Sequence, residues 1–306
     1  MPEIIYHHYA KSTFAQKVRT VFGFKGLAWR SVIIPDRMPK PDLMPLTGGY
    51  RSTPVMQIGA DVYCDTQCII RELERRFPEP TLFPGGSEGL AWSLGFWTDK
   101  VLYTTAVALV FGAVADKLDP GYVEDRVEHR GGALDIEKMK AEVPQNRGQL
   151  RAQLGWVEAM LADGRGFVLG SEPGLADVNV YFVLWMVRRL YPAPDQVFGP
   201  FAKVRAWEGR MEALGEGAPT DMTAAEALEV ARTSEPEPSP PADSDELLGL
   251  SPGAPVTVIP DDKGRVPVRG ELVAAGLQTI AIRRQDARVG EVVVHFPRAG
   301  FQVFEG

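Results

Sequence analysis

Between residues 3 and 83 the apolar residues repeatedly change their spacing, and this order of elements restricts the folds open to the chain more than any other feature. Ile4-Ile5-Tyr6 is a short apolar run and reads as a first strand. Phe14, Val18, Val21 and Phe22 then form an apolar face at helical spacing, with Gly23 and Gly26 at its end. Trp29 to Ile34 reads as a second strand, bounded by Pro35, before a polar stretch that carries Pro39, Pro41 and Pro45. Val55 to Ile58 and Val62-Tyr63 flank Gly59-Ala60-Asp61, a hairpin signal. Ile69, Ile70 and Leu73 belong to a closing helix that ends before Pro78. A strand–helix–strand start requires a parallel pair with a right-handed crossover, and the hairpin adds antiparallel strands. The sheet is therefore mixed, within an α/β domain over residues 1–83.

Residues 87–232 read as all-helical. Leu90, Leu94, Trp97 and Val101 step by four, three and four, and Leu150, Leu154, Val157 and Leu161 repeat the pattern. Val204, Trp207, Met211 and Leu214 form a third stripe. Pro144 is placed at a helix start or kink. Residues 234–245, rich in Pro, Ser and acids, have nothing to bury and read as a linker. Residues 246–306 change class again. Val256 to Ile259, Glu271 to Ala274, Leu277 to Ile282 and Val292 to Phe296 alternate with Gly, Pro and Asp turns. They read as a small all-β domain, an antiparallel barrel or sandwich of SH3-like kind.

The net charge of -7 argues against a nucleic-acid partner, which usually needs a basic domain. No apolar run is long enough for a membrane span, and no basic leader precedes Ile4, so a soluble cytoplasmic protein is expected. Cys64 and Cys68 are too few for a disulfide scaffold and are not spaced as a redox pair, so buried reduced thiols are expected. His7 and His8 are adjacent on a strand and point to opposite faces, which speaks against a shared metal.

Three short runs carry more information. Ser12-Thr13-Phe14-Ala15-Gln16-Lys17-Val18-Arg19 resembles the Ser-x-Phe-x-x-Lys-Val-Arg signature of serine-type glutathione transferases. Ser52-Thr53-Pro54-Val55 resembles the cis-proline loop of that family, and Tyr63-Cys64-Asp65-Thr66-Gln67-Cys68-Ile69 resembles its acidic-Ser/Thr-x-x-Ile motif. The resemblance spans roughly residues 3 to 230 and excludes the tail. It implies a thioredoxin-like glutathione-binding domain followed by an all-α domain. It further implies glutathione as cosubstrate, no metal or nucleotide, a hydrophobic electrophile and a homodimer.

Elementary chemistry supports each motif. Ser12 falls where the first strand turns into the first helix. Free N–H groups and a donated hydroxyl hydrogen there would favour a bound thiolate; a simple N-cap is the competing explanation. Thr53-Pro54 can be cis, which would let Val55 pair with the cysteinyl backbone of glutathione, or it can be an ordinary trans turn. Asp65 and Thr66 open a helix, where N–H groups and a hydroxyl suit the γ-glutamyl carboxylate, and Asp65 suits its ammonium. The same two residues can serve as caps alone. Residues 1–84 hold 11 lysines and arginines against 8 acids, so this domain is locally basic. Lys40 and Arg51 are candidates for the glycyl carboxylate, or solvated loop charges. Phe14 belongs to the same binding motif. Tyr6 and Tyr9 are rival hydroxyls, with Tyr6 favoured as a strand residue. Trp97, Tyr103 and Phe111 are candidates to line a second-substrate site between the domains, or to fill the core. Asp177, in Gly174-Leu175-Ala176-Asp177, resembles half of the family's capping box, which usually has Ser or Thr where this chain has Gly174, and is read as a folding element. Arg283, Arg284, Arg288 and Arg298 make the tail basic and are read as solvated.

Two further activities are compatible with the same scaffold: a glutathione-dependent isomerase or reductase, and a noncatalytic glutathione- or ligand-binding protein. Fold alone does not choose among them.

Overall fold

The computed structural model describes residues 3–132, 134–238 and 249–306. Residues 239–245 of the expected linker lie outside them. The strands are β1 (Ile5–His8), β2 (Ala28–Ile33), β3 (Val55–Ile58), β4 (Asp61–Cys64), β5 (Ala218–Asp221), β6 (Pro255–Pro260), β7 (Val268–Ala275), β8 (Thr279–Asp286), β9 (Gly290–Pro297) and β10 (Phe301–Glu305). In the first domain the helices are α1 (Thr13–Phe24), α2 (Met44–Thr47) and α3 (Thr66–Arg76). The helical domain holds α4 (Glu88–Trp97), α5 (Tyr103–Ala113), α6 (Pro120–Arg130), α7 (Ile136–Ala141), α8 (Val143–Met160), α9 (Leu175–Leu190), α10 (Asp195–Phe198) and α11 (Ala202–Glu212). α12 (Ala224–Thr233) follows.

β1 pairs with β2 in parallel and with β3 antiparallel, and β3 pairs with β4 antiparallel, giving the mixed sheet the sequence implies. Two additions extend this sheet: the first has no signal in the sequence, and the second, the tail, agrees with the expectation that it folds back on the body of the protein or on a partner copy, though the sequence names no strand for it to join. Residues 218–221, within the segment read as all-helical, form β5 and pair in parallel with β2, Ala28 opposite Ala218. The chain thus returns to the first domain, where Ala227, Leu228 and Ala231 of α12 are buried in its core. The tail is the second addition. Its strands run in the order β10-β6-β7-β8-β9, and β9 continues the sheet beside β4, giving ten strands in one sheet. Val62 lies opposite Val294 and Tyr63 opposite His295. His295 Nε2 is 2.7 Å from Asp61 Oδ1, and its ring stacks on Tyr63 with centroids 4.5 Å apart. Val256, Val258, Ile280, Ile282, Val292, Val294 and Phe296 share one buried cluster with Ile5, Val32, Leu46 and Val62. The tail is therefore built onto the first domain. Its arginines follow: Arg288 pairs with Asp42 at 2.7 Å, Arg284 donates to the Pro45 carbonyl at 3.4 Å, and Arg283 pairs with Glu271 at 3.1 Å. These three are engaged rather than simply solvated.

The helical stripes divide. Leu150, Leu154, Val157 and Leu161 are buried, as are Val204, Trp207 and Met211. The stripe at α4 is split: Leu90 is 62% exposed and Val101 45%, whereas Leu94 and Trp97 are half-buried against the core. The fully buried side of this run is Ala91, Gly95, Thr98 and Leu102. Small residues let α9 approach, and Asn179 Nδ2 donates to the Ala91 carbonyl at 2.9 Å. A side chain at Gly95 would meet that amide at 2.9 Å. Hydrophobicity alone marked only part of the packed face because close packing here depends on size.

Asp177 is buried near the start of α9 and accepts three hydrogen bonds. These come from the N–H groups of Val168 (2.7 Å) and Gly174 (3.1 Å) and the Trp207 indole (2.8 Å). The missing Ser or Thr at Gly174 has a steric cause: a Cβ there would lie 2.8 Å from the Leu82 carbonyl oxygen.

His7 and His8 are buried and hydrogen-bonded, to Gln57 Oε1 at 2.9 Å and Ser31 Oγ at 3.0 Å. Burial pushes their pKa values down to about 4 and about 3. A depressed histidine is neutral in the fold, whereas the unfolded chain takes up its protons below about pH 6.5. The stability they give is full above that pH and is lost as pH falls toward 4, by about 1.4 kcal/mol per histidine per unit. Urea unfolding at pH 7 and pH 5 is expected to show a drop that is smaller in the His7→Gln/His8→Gln variant. Equal drops in the two proteins would contradict this.

Candidate functional site

β1 ends at His8, and the chain turns through Tyr9 into α1. Ser12 caps α1, its Oγ accepting from the Ala15 N–H at 3.2 Å, so the capping role is real. The residue is buried yet lines a cavity, on the same wall as the Tyr9 side chain. Burial pushes the Tyr9 phenol up to about 12, so it stays neutral and can donate. Tyr6 lies wholly in the core, its hydroxyl donating to the Ala15 carbonyl at 2.9 Å.

The Thr53–Pro54 peptide is cis. Val55, expected to meet the ligand backbone, is instead buried in β3 between His7 of β1 and Cys64 of β4. Thr53, on the other side of the proline, faces the cavities. Asp65 caps α3, accepting from the Gln67 N–H at 2.9 Å. Its φ of 72° is the only positive value at a non-glycine among the described residues, a conformation that costs energy and that tends to occur where it aims a functional group. Burial pushes the Asp65 carboxyl up to about 6, opposed by the Gln67 N–H and reinforced by Asp99. Thr66 is buried beside it.

Two cavities meet here. The smaller, about 100 Å³, is lined by Thr53, Pro54, Asp65, Thr66, Asp99 and Asp262 among others. The larger, about 530 Å³, is lined by Tyr9, Ser12, Tyr103, Phe111, Tyr122 and Arg126 among others. Phe14, Ser52, Thr53 and Lys263 border both. A turn of π-helix, Thr98–Leu102, joins α4 to α5 and brings Asp99 and Lys100 to the smaller cavity. Asp99 pairs with the buried Lys17 at 2.9 Å, and Lys100 pairs with Asp262 of the tail. The Lys263 ammonium lies 5.4 Å from the ring centroids of both Phe14 and Tyr103. The turn after β6 is thus part of the wall.

Tyr103 and Phe111 line the larger cavity as expected, and Phe14 stacks edge-on against Tyr103 at 4.8 Å. Trp97 does not: it packs on Trp156, ring centroids 5.8 Å apart, and borders neither cavity. Lys40 and Arg51 border the larger cavity but are buried rather than solvated. Lys40 Nζ donates to the Arg51 carbonyl and to Thr53 Oγ1, both at 2.9 Å. Burial, with Arg126 and Arg51, pushes its pKa down to about 8. Arg51 is paired with Asp125. The two brace the Ser52–Pro54 loop against α6. Lys263, Arg126 and Arg130 were missed by sequence reasoning. For Lys263 no local signal exists, because its place depends on β9 joining β4. Tyr122, Arg126 and Arg130 do recur every fourth residue along α6.

Comparison with known proteins fits this geometry. Residues 7–81 match the glutathione S-transferase N-terminal domain, and residues 109–214 match the C-terminal domain. The structure is similar to that of a GST-like protein from Pseudomonas syringae, at 37% identity over 100% of both chains with a TM-score of 0.80. The chain belongs to the glutathione S-transferase family. The tail lies within the full-length match to the Pseudomonas transferase-like protein. Two other transferases show the shared fold. That from Rhodospirillum rubrum is 19% identical, covering 69% of this chain and 88% of its own, with a TM-score of 0.55. That from Ceriporiopsis subvermispora, solved in complex with glutathione, is 18% identical, covering 69% and 97%, also at 0.55. No curated protein matches the chain. Among the described residues, no helix is long and apolar enough to cross a membrane, and no group of three or more His, Cys, Asp or Glu is placed to hold a metal.

Proposed function

We propose that this transferase-family protein binds glutathione across the two cavities and transfers its thiolate to an electrophile in the larger one. One observation carries this: the Ser12 end of α1, the Thr53–Pro54 loop and the Asp65–Thr66 end of α3 border cavities that share Phe14 and Thr53. The γ-glutamyl end belongs in the smaller cavity. Its carboxylate would meet the Thr66 hydroxyl and N-terminal N–H groups of α3, and its ammonium would meet Asp65. Thr53, rather than Val55, is the backbone placed to pair with the cysteinyl residue. The thiol then falls near Ser12. A hydroxyl donor and the N-terminus of α1 favour the thiolate, so the thiol gives its proton to solvent below its usual pKa. The sulfur forms a bond to the electrophilic carbon, and the leaving group departs with its electron pair. Tyr9, kept neutral by burial, lines the same wall as Ser12.

A homodimer and a cytoplasmic location are part of the proposal. The outward stripe of Leu90 and Val101, with Phe96 40% exposed, is an apolar surface suited to a second copy.

Calorimetric titration with glutathione tests the binding. Wild type is expected to give saturable one-site heat, and Thr66→Ala is expected to bind about tenfold more weakly, the worth of one hydrogen bond to a charged group. Unchanged affinity in Thr66→Ala would remove the α3 site. Analysis of products separates conjugation from isomerisation or reduction.

A further inference from the structure

We infer that the electrophile carries an anionic group, held between Arg130 of α6 and Lys263 of the tail. This rests on the transfer reading above and names the substrate class of the larger cavity. Eight lysines and arginines line that cavity against three aspartates, in a chain whose net charge is -7. The aspartates are already engaged. Asp119 pairs with Arg37 at 2.7 Å, Asp125 pairs with Arg51, and Asp36 lies 3.9 Å from Arg37. Among the described residues, no carboxylate is paired with Arg130 or with the Lys263 ammonium. Arg126, one turn before Arg130, lies over the Tyr122 ring at 4.7 Å, and its Nε is buried without a hydrogen-bond partner. Arg130 and Lys263 stand close enough for the charge of the arginine to push the lysine pKa down, beyond the larger effect of burial and against the opposing Asp262.

Like charges gathered in a partly enclosed space repel. Asp125 lies 3.5 Å from Arg126, and Asp262 and Asp99 act on Lys263 only at a distance, so three aspartates leave most of the eight cations of the wall without a paired carboxylate. A ligand anion would pair with them. The aromatic rings of Tyr9, Tyr103, Phe111 and Tyr122 provide the complementary surface for an aryl body. An aromatic electrophile bearing a carboxylate matches both halves of the wall, whereas a neutral one leaves the cations unpaired. The tail thereby acquires a part in specificity, because it delivers Lys263.

The test compares chlorodinitrobenzene with chlorodinitrobenzoate as electrophiles in the full-length protein. With either, the thiolate displaces chloride from a nitro-activated ring carbon, so the ratio of their kcat/KM values, each divided by the uncatalysed rate with glutathione, reports recognition of the carboxylate. Wild type is expected to favour the benzoate by about tenfold or more, the worth of about 1.4 kcal/mol. Arg130→Gln and Lys263→Gln, each verified as folded by thermal melting, are expected to reduce that ratio about tenfold through KM. A wild-type ratio near one overturns the inference. So does an equal loss on both electrophiles, or a weakened glutathione affinity with the ratio unchanged, which would give the cations to glutathione. Calorimetric binding of chlorodinitrobenzoate alone separates the two proposals. Binding that is lost in the variants, in a protein that performs no transfer, would sink the transfer reading and keep the anion site. No binding together with no transfer would sink both.

Discussion

A chain ended after Thr233 is expected to be recovered as aggregate rather than as a shorter folded transferase. β9 pairs with β4, so removing the tail leaves β4 as a bare edge next to the Asp65–Thr66 start of α3. It also uncovers the cluster that Val292, Val294 and Phe296 share with Leu46, Tyr50, Val55 and Val62. Exposing four side chains of that size costs about 6–12 kcal/mol at about 1.5–3 kcal/mol each. That is comparable with the entire stability of an ordinary domain, about 5–15 kcal/mol. In the intact protein, protease cleavage between residues 234 and 245 is expected to leave the tail bound through a gel-filtration column. A soluble, glutathione-binding truncated protein, or clean release of the tail, would show that it is an independent appendage.

Asp177→Ala is expected to be the most damaging single substitution away from the cavities. It strands the N–H groups of Val168 and Gly174 and the Trp207 indole inside the helical domain. A buried donor left without a partner costs about 1–3 kcal/mol, so the three together give about 3–9 kcal/mol, with the lower part of that range expected where water enters the space left, read from denaturant midpoints. Asp177→Asn keeps an acceptor and is expected to lose less. Gly174→Ser, which restores the capping residue usual in the family, is expected to destabilise because its Cβ would press on the Leu82 carbonyl. A stabilised Gly174→Ser would mean that this close approach relaxes freely.

Local chemistry made much of this legible. The strand and helix order of the first domain followed from apolar spacing, and Ser12, Thr53-Pro54, Asp65 and Thr66 stood out because their runs resemble motifs of the family, with the chemistry of helix starts and cis proline compatible with each. What was not legible depended on distant partners. Ala218–Asp221 is a fully exposed four-residue strand whose sequence says nothing of β2. The tail strands were recognisable as strands, but no local pattern tells that β9 will seek β4. Trp97 takes the core-packing alternative rather than the cavity, and of its stripe Leu90 and Val101 turn outward, because apolar residues facing outward look the same as those facing the core; the small residues Ala91 and Gly95 reveal which side packs most closely. Val55 lies in β3, paired on both sides, while Thr53, two residues earlier across the cis proline, is the one that lines the cavities, a difference that the order of the residues does not reveal.

The most direct test of the account is the pH titration of glutathione thiolate absorbance in the bound state, on wild type and Ser12→Ala. The account requires a midpoint at least one unit below the usual thiol value of about 8.5 in wild type, largely restored by Ser12→Ala. A bound thiol that titrates as it does free in solution, or one equally depressed in Ser12→Ala, would contradict the role assigned to Ser12.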